Sequence, residues 1–222
     1  MNAIKAAIKR TFLYDVLTRF RGRAELRAWL RNGKPDPVPS LCKQETVREY
    51  AGRFSLKTLV ETGTYLGDMV RAVRASFTKI ISIELDRALH EQAVRLFAKW
   101  PHITLLQGDS GAVLREVARK IPEPCLFWLD AHYSGGITAR GDQDTPVLLE
   151  LEAVLERGNR ADVVLIDDAR CFTGRDGYPT ISELQGLLQR RRREWSLEVR
   201  DDILRLHSLQ DLSSKDSRTA TT

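Results

Sequence analysis

The chain has 222 residues, of which 42% are hydrophobic, and this is enough apolar material for one sizeable core. No apolar run reaches the roughly 18 residues of a membrane span, and charged residues interrupt the first apolar stretch, so we expect neither a transmembrane segment nor a secretory signal. The three cysteines form no close-spaced pair and no metal-binding pattern, and we therefore expect reduced thiols in a cytoplasmic protein.

The net charge of +5 is concentrated at the N-terminus, where residues 1–40 carry nine Lys and Arg against three acidic residues. We predict a basic helical arm over 1–40, a main domain over 41–209, and a disordered polar tail over 210–222. The arm is either a solvated helical face or a weak contact for an anionic partner, such as a membrane surface or nucleic acid.

The first predicted elements are helical. Apolar positions recur at helical spacing over residues 3–31, and Gly22 is interpreted as a break between two helices. The proline-rich segment Lys34–Pro39 cannot continue a helix. A short helix is predicted over 43–54, and a buried strand follows it over Leu56–Val60.

From that strand onward, predicted strands and helices alternate. The further strands are Lys79–Glu84, Ile103–Gln107, Cys125–Leu129 and Val163–Ile166. The helices that separate or follow them end near Trp100, Lys120, Arg157 and Arg193. Two final strands, Trp195–Arg200 and Ile203–His207, flank the turn pair Asp201-Asp202 and predict a hairpin. Strand–helix alternation predicts an α/β fold, with a mostly parallel sheet between two layers of helices.

Acidic residues collect at the ends of the predicted strands. The first strand leads into the turn Glu61-Thr-Gly63-Thr-Tyr65-Leu-Gly67. The later strands end near Glu84, Asp109, Asp130 and the pair Asp167-Asp168. Because the carboxyl ends of parallel strands meet at one edge of a sheet, we expect these residues to share a ligand site. Alternatively, the glycines serve only a tight turn and Glu61 is a solvated residue at a strand end.

The spacing of the turn and the next acidic residue indicates an adenosine-containing ligand. Glu84 lies about 20 residues beyond the turn, where an acidic side chain accepts hydrogen bonds from ribose hydroxyls. The turn lacks the Gly-x-Gly-x-x-Gly pattern of dinucleotide sites, and Glu61 stands where a pyrophosphate would approach. A carboxylate there suits a cation, such as the ammonium or sulfonium end of S-adenosylmethionine.

On these residues the chain resembles the class I S-adenosylmethionine-dependent methyltransferases over roughly residues 45–208. The motifs are Val-Glu61-Thr-Gly63-Thr-Tyr65, Ser-Ile-Glu84-Leu-Asp86, Gly108-Asp109-Ser110, Leu-Asp130-Ala-His132 and Leu-Ile-Asp167-Asp168. Within that superfamily the chain is most similar to metal-dependent O-methyltransferases of the catechol type and to related bacterial enzymes acting on sugars and antibiotics. The resemblance implies a Rossmann-like three-layer sandwich with a seven-stranded sheet whose last strand is antiparallel.

The resemblance also implies roles for individual residues. Glu61, Gly63 and Tyr65 would line the methionine part of the cofactor, and Glu84 would hold its ribose. Asp109 or Ser110 would flank the adenine. Asp130 would belong both to the cofactor-binding and to the catalytic residues.

Asp130, Asp167 and Asp168 match the positions at which the metal-dependent branch holds a divalent cation. Three converging carboxylates repel one another unless a cation offsets them, and hard oxygen ligands suit Mg²⁺, Mn²⁺ or Ca²⁺, of which we favour Mg²⁺. The ion would lower the pKa of a substrate hydroxyl and orient its oxygen. Alternatively, Asp167 and Asp168 only cap the following turn.

The chain departs from the catechol-type pattern at two places. That branch usually has Asp-Asn where this chain has Asp167-Asp168, and the lysine that follows its first metal aspartate has no equivalent near Tyr133. His132 either replaces that lysine as the general base or only donates a hydrogen bond in the cleft. Both departures argue against a catechol as the substrate.

These observations together predict an S-adenosylmethionine-dependent, metal-assisted O-methyltransferase. Its acceptor would be a small hydroxylated molecule, such as a sugar, a glycan precursor or a secondary metabolite, and the protein would form a homo-oligomer. The alternatives are an NAD-dependent oxidoreductase, a non-catalytic nucleotide-binding module with the same fold, and a nucleic-acid methyltransferase guided by residues 1–40.

Overall fold

The structure, a computed structural model, describes residues 12–130, 146–159 and 161–209. Its α-helices are α1 Phe12–Arg31, α2 Ser40–Arg53, α3 Asp68–Val73, α4 Arg87–Phe97, α5 Ser110–Lys120, α6 Val147–Arg157 and α7 Ile181–Arg191. Its strands are β1 Thr58–Thr62, β2 Lys79–Glu84, β3 Ile103–Gln107, β4 Cys125–Leu129, β5 Val163–Ile166, β6 Trp195–Arg200 and β7 Ile203–Ser208. Short 3₁₀ helices cover Arg74–Ser76 and Ala169–Cys171.

The strands form one seven-stranded sheet in the order β3-β2-β1-β4-β5-β7-β6. Strands β1 to β5 pair in parallel, whereas β7 runs antiparallel to both of its neighbours, β5 and β6. Helices α2, α3 and α4 pack on one face of the sheet, and α5, α6 and α7 pack on the other. The predicted three-layer α/β sandwich with an antiparallel last strand is therefore confirmed.

The central strands are buried on both faces because helices cover both. Every residue of β1, β4 and β5 is buried. Alternate residues of β4 point to opposite faces of the sheet, so that Phe127 packs with α5 and α6 while Trp128 packs with α2. Each such large apolar side chain stabilises the fold by about 1.5–3 kcal/mol relative to an exposed one. Trp128, with 1% of its surface exposed, is thus a core residue.

The order of the strands creates a crevice at the carboxyl edge of the sheet. After β1 the chain adds β2 and β3 on one side and then returns to place β4 on the other side of β1. In the register of the sheet, Thr62 at the end of β1 pairs with Ile83 and Leu129. The ends of β1, β2 and β4 are therefore level, and ligands of such sheets bind at this reversal of strand order.

Several predicted boundaries differ from the structure. Helix α4 ends at Phe97 and not near Trp100, helix α7 ends at Arg191 and not near Arg193, β1 ends at Thr62, and β7 ends at Ser208. Strand β1 begins at Thr58 and not at Leu56, because the Leu56 N–H donates to Ala51 O (2.8 Å) at the end of α2. Helix α2 begins at Ser40, so that residue 43 lies in its first turn. The interpretation of Gly22 as a helix break is wrong, since α1 continues through it.

Helix α1 contacts α2 closely at Gly22. A Cβ atom at Gly22 would lie 3.3 Å from the Cβ of Leu41, which is tighter than most contacts, and this explains a small residue there without any break. Farther along α1, the buried Trp29 donates from Nε1 to Pro35 O (2.8 Å). The contact at Gly22 joins the arm to the body of the protein, whereas the Trp29 bond lies within the arm; the limits of arm, domain and tail stay predictions.

The C-terminal hairpin reaches the same edge of the sheet as the strand ends described above. Asp201 and Asp202 both have positive φ, 50° and 56°, as a tight turn between two twisted strands requires, and the predicted hairpin is confirmed. The Ala169 N–H donates to Asp202 O (2.8 Å), which holds the hairpin tip against the segment that follows β5. The three cysteines are free, and no helix in the described ranges is long and apolar enough to cross a membrane.

Candidate functional site

The turn after β1 folds back over the end of β2. Gly63, Tyr65 and Gly67 have φ values of 81°, 48° and 72°, in the left-handed region that favours glycine. The N–H groups of Gly63 and Thr64 donate to Ile83 O at 2.9 and 3.2 Å. At Gly67 a Cβ atom would lie 2.7 Å from the ring of Phe97, so both φ and space require glycine there. The turn therefore places the start of α3 beside β2.

Glu61 is a buried carboxyl group at the end of β1, with 1% of its surface exposed. Its Oε2 accepts a hydrogen bond from the Ser82 hydroxyl, whose oxygen lies 2.5 Å from Thr64 Oγ1. Burial raises the pKa of Glu61 to about 8; the bond from Ser82 opposes this shift, and the charges of Asp130 and Glu84 add to it. Without a nearby cation, Glu61 therefore carries a proton at neutral pH.

Glu84 ends β2 and is also buried. Its Oε2 accepts from the Tyr65 N–H (2.7 Å), and its Oε1 accepts from the Asp86 N–H (2.9 Å). These bonds hold the carboxylate at the edge of the sheet, beneath the turn. Since each carboxylate oxygen has two lone pairs, Glu84 keeps the capacity to accept from the hydroxyls of a ligand.

Asp109 and Ser110 lie at the beginning of α5, on the same edge. Asp109 is the N-cap of that helix, and its Oδ1 accepts from the Gly111 N–H (2.8 Å). The hydroxyl of Ser110 interacts with the carboxyl group of the buried Glu150 of α6. Burial raises the pKa of Glu150 to about 7, although hydrogen bonds from Ser110 and Thr62 oppose the shift. Sequence patterns do not single out Glu150, because it stands inside an ordinary amphipathic helix.

Asp130, Asp167 and Asp168 converge, and we call them the acidic cluster. Each offers a carboxylate oxygen within 4.8 Å of the other two. Asp130 follows β4, and the buried pair Asp167-Asp168 follows β5, so the parallel neighbours β4 and β5 bring them together as predicted. Burial, with the charge of Asp130, raises the pKa of Asp167 to about 7, although Lys43 opposes the shift.

Lys43 of α2 reaches into the acidic cluster, and the sequence did not identify it. Its Nζ lies 2.5 Å from Asp167 Oδ2 and 3.7 Å from Asp168 Oδ1. Burial lowers the pKa of Lys43, but its charge interactions with Asp167, Asp130 and Asp168 and its hydrogen bond to Asp167 outweigh burial, so the pKa is raised. No local pattern marks this lysine, because its partner Asp167 is 124 positions away along the chain.

A second cation, Arg170, pairs with Asp168. Its Nη1 lies 2.8 Å from Asp168 Oδ1 and also contacts Asp202 at the tip of the hairpin. The Arg170 backbone N–H donates to Asp202 Oδ1 (2.7 Å). The negative charge that Asp168 adds relative to an Asp-Asn pair is thus balanced by an arginine two residues later.

The carboxylates of the acidic cluster fit a divalent cation, and the ammonium of Lys43 would compete with such an ion for them. Three carboxylates with converging oxygens are the ligands that Mg²⁺ and Mn²⁺ prefer. Lys43, however, already pairs with two of them. The Asp167 side chain also accepts from the Asp168 N–H (2.9 Å), whereas Asp168, the N-cap of the 3₁₀ helix Ala169–Cys171, makes no side-chain capping bond, so the capping alternative has no support at Asp168. The candidate general base His132 lies outside the described residues, as does the rest of the loop after Asp130.

Comparison with solved structures shows the fold. The O-methyltransferase TomG from Streptomyces achromogenes, in complex with S-adenosylmethionine, is 15% identical with a TM-score of 0.57, covering 83% of this chain and 87% of that one. The Podospora anserina methyltransferase PaMTH1, bound to S-adenosylhomocysteine, is 15% identical with a TM-score of 0.56, covering 84% and 87%. A Bacillus cereus O-methyltransferase in complex with S-adenosylhomocysteine is 13% identical with a TM-score of 0.55, covering 83% and 88%.

No family profile matches the chain, and no curated protein sequence matches it. The structural similarity at low identity shows that the chain has the fold of the class I methyltransferases, and the resemblance predicted from its motifs is confirmed at that level. The residues predicted to bind the cofactor, namely Glu61, Gly63, Tyr65, Glu84, Asp109, Ser110 and Asp130, all lie at one edge of the sheet.

Replacement of Gly67 tests the turn. Gly67→Ala should lower the free energy of unfolding by about 1–2 kcal/mol, because a side chain at positive φ is strained and the new methyl group meets Phe97. The control is Gly52→Ala in α2, where a Cβ meets nothing within 4 Å, and it should instead stabilise by about 0.5–1 kcal/mol. Urea denaturation measures both variants, and equal effects would contradict the described turn.

The raised pKa of Glu61 predicts a pH-dependent stability. Between the ordinary value of 4.5 and about 8, the folded state holds a proton that the unfolded state has released. This contribution to the free energy of unfolding is present below pH 4.5 and is lost as the pH rises through about 8. Glu61→Gln should therefore make the decline of stability over this range shallower in the ligand-free protein, measured by urea denaturation at several pH values.

The control for this series is Glu91→Gln, because the Glu91 side chain is 50% exposed on α4. Its pH profile should run parallel to that of the unmodified protein. A Glu61→Gln profile that also runs parallel would show that Glu61 does not hold the proton.

Proposed function

We propose that the chain is an S-adenosylmethionine-dependent methyltransferase that methylates an oxygen of a small hydroxylated acceptor, such as a sugar, a glycan precursor or a secondary metabolite. The observation that carries the proposal is the pair of buried carboxyl groups, Glu61 and Glu84, beneath the glycine-bearing turn of a class I methyltransferase fold. TomG and PaMTH1, which share the fold, bind S-adenosylmethionine and S-adenosylhomocysteine. Their ligands support the cofactor assignment.

In this proposal Glu61, Gly63 and Tyr65 line the methionine part of the cofactor. A buried carboxyl group whose pKa is raised becomes ionised when a cation comes within a few ångströms of it. The ammonium or sulfonium of S-adenosylmethionine is such a cation. Glu61 thus favours a positively charged ligand, whose approach ionises it, over the anionic pyrophosphate of NAD, beside which it would stay protonated and make no ion pair.

Glu84 holds the two ribose hydroxyls, since its carboxylate is already aimed by two backbone N–H groups and keeps spare lone pairs. Asp109 or Ser110 flanks the adenine at the start of α5. Asp130 is the member of the acidic cluster that lies near this cofactor site, because its charge contributes to the raised pKa values of both Glu61 and Asp167.

We assign acceptor activation to the acidic cluster. Asp130, Asp167 and Asp168 would hold Mg²⁺, which when bound lowers the pKa of an acceptor hydroxyl. The cluster itself positions the acceptor oxygen at the end of β4, next to the proposed methyl donor. We assign His132 as the general base because it stands two positions after the catalytic candidate Asp130 in the sequence.

Calorimetric titration with S-adenosylmethionine tests the cofactor site. Glu84→Ala should weaken binding by roughly tenfold or more, because hydrogen bonds to a charged group are lost. Glu91→Ala, which removes an exposed acidic side chain from the neighbouring helix α4, should leave the affinity unchanged. Binding of NAD without binding of S-adenosylmethionine would favour the oxidoreductase alternative and contradict the proposal.

Labelled S-adenosylmethionine tests transfer. We expect the label to appear in at least one member of a panel of hydroxylated sugars and phenols, with Mg²⁺ increasing the rate. Asp167→Asn should remove the Mg²⁺-dependent part while binding of S-adenosylmethionine persists. Cofactor binding without transfer to any acceptor class would instead support the non-catalytic module. If a chelator leaves the rate unchanged, Mg²⁺ has no part in the reaction.

A further inference from the structure

Lys43 is held in the acidic cluster by the packing of its own helix. In α2, Lys43, Val47 and Tyr50 follow the spacing of one helical face. Val47 and Tyr50 are fully buried against the sheet, so the face that carries Lys43 is directed at the sheet as well. The lysine therefore reaches the carboxyl edge because the core orients α2, and its side chain is only 20% exposed.

Lys43 and Arg170 differ in what they neutralise. Arg170 is 39% exposed and divides its guanidinium between Asp168 and Asp202. Asp167, whose side chain is 1% exposed, has Lys43 as its cationic partner among the described residues. A buried carboxylate without a cation is costly, so the ammonium of Lys43 is what stabilises Asp167 in the ligand-free protein.

We propose that Lys43 is the resident cation of the acidic cluster and that a divalent ion binds there only by displacing it. The inference uses the cation site assigned under the proposed function, but it does not depend on methyl transfer. A divalent ion bound to Asp167 would approach its oxygen to about 2.1 Å. The ammonium already lies 2.5 Å from Asp167 Oδ2, so the two cations would compete for one oxygen and repel each other.

Displacement is physically feasible because of the chemistry of lysine. Its ammonium is a compact charge on a flexible four-carbon stem, so it can withdraw toward solvent without moving α2. The fixed contact of Arg170 with Asp168 would remain. Lys43 thus sets how strongly the cluster binds a divalent ion, and it keeps the buried Asp167 paired with a cation when no ion is bound.

Mn²⁺ titration of the full chain, followed by the electron paramagnetic resonance signal of free Mn²⁺, tests this proposal. Lys43→Met keeps a side chain of similar length and removes the charge, and it should bind Mn²⁺ at least about tenfold more tightly than the unmodified protein. Lys43→Arg keeps the charge and should bind as weakly as the unmodified protein. Lys57→Met, which removes an exposed lysine at the opposite end of β1, should change nothing.

The location of the ion is checked with the double variant Lys43→Met/Asp167→Asn, which should lose the tight binding. Equal or weaker Mn²⁺ affinity of Lys43→Met, or no detectable binding by it, would overturn the proposal. Tight binding that survives Asp167→Asn would overturn it too, because the ion would then lie elsewhere.

Thermal unfolding provides a second readout in case Lys43→Met is poorly folded. Without metal this variant should melt below the unmodified protein, and Mn²⁺ should raise its melting temperature more than that of the unmodified protein at equal ionic strength. Failure to fold even with Mn²⁺ would overturn the proposal. Titration of the same proteins with S-adenosylmethionine reports separately on the proposed function. If cofactor binding fails while Mn²⁺ competes with Lys43, the proposed function is wrong and this inference stands. If the cofactor binds but Mn²⁺ affinity does not depend on Lys43, only this inference is wrong.

Discussion

Carboxyl groups buried at the carboxyl edge of the sheet are the constraint on which the rest of this structure depends. Glu61, Glu84, Asp167 and Asp168 are each at most 6% exposed, and Asp130 lies beside them. Removing a carboxylate from water is unfavourable, and like charges nearby make it more so. The elements around this edge therefore have to supply protons, N–H donors or cations.

The structure meets this requirement in a different way at each group. Glu61 keeps a proton, because burial raises its pKa to about 8. Glu84 is stabilised by two backbone N–H groups, one from the turn and one from the residues after β2. Asp167 pairs with Lys43, and Asp168 pairs mainly with Arg170. A positively charged cofactor would act on the first of these groups, and a divalent ion would act on the last two.

The side chains that pair with the buried acids, or that hold those partners in position, come from distant parts of the chain. Lys43 belongs to the helix before β1, Arg170 to the 3₁₀ helix after β5, and Asp202 to the C-terminal hairpin. The antiparallel strand β7 is what returns the hairpin tip to the carboxyl edge, since a parallel strand would begin at the opposite one. The fold thus brings a helix from before β1 and two segments from after β5 to the edge that carries the acids.

Short-range sequence patterns are enough to predict the elements and the row of acids at their ends. Strand–helix alternation implies parallel strands with level ends, and for that reason the sequence alone assigns Glu84, Asp130 and Asp167 to one edge. The exact start of β1 escapes such patterns, because Leu56 bonds to the end of α2 and apolar spacing does not reveal that contact. The reason for Gly22 likewise lies across a helix contact, at Leu41.

The way in which the acids are neutralised, by contrast, depends on the tertiary arrangement. Lys43 and Asp167 are separated by 124 positions, and many other lysines and arginines of this basic chain are equally eligible as partners. Pairing of charges depends on three-dimensional distance and burial, which no local pattern encodes. The protonation of Glu61 likewise follows from the layer of helices packed over it, because desolvation is a property of the assembled core and not of the strand that carries the residue.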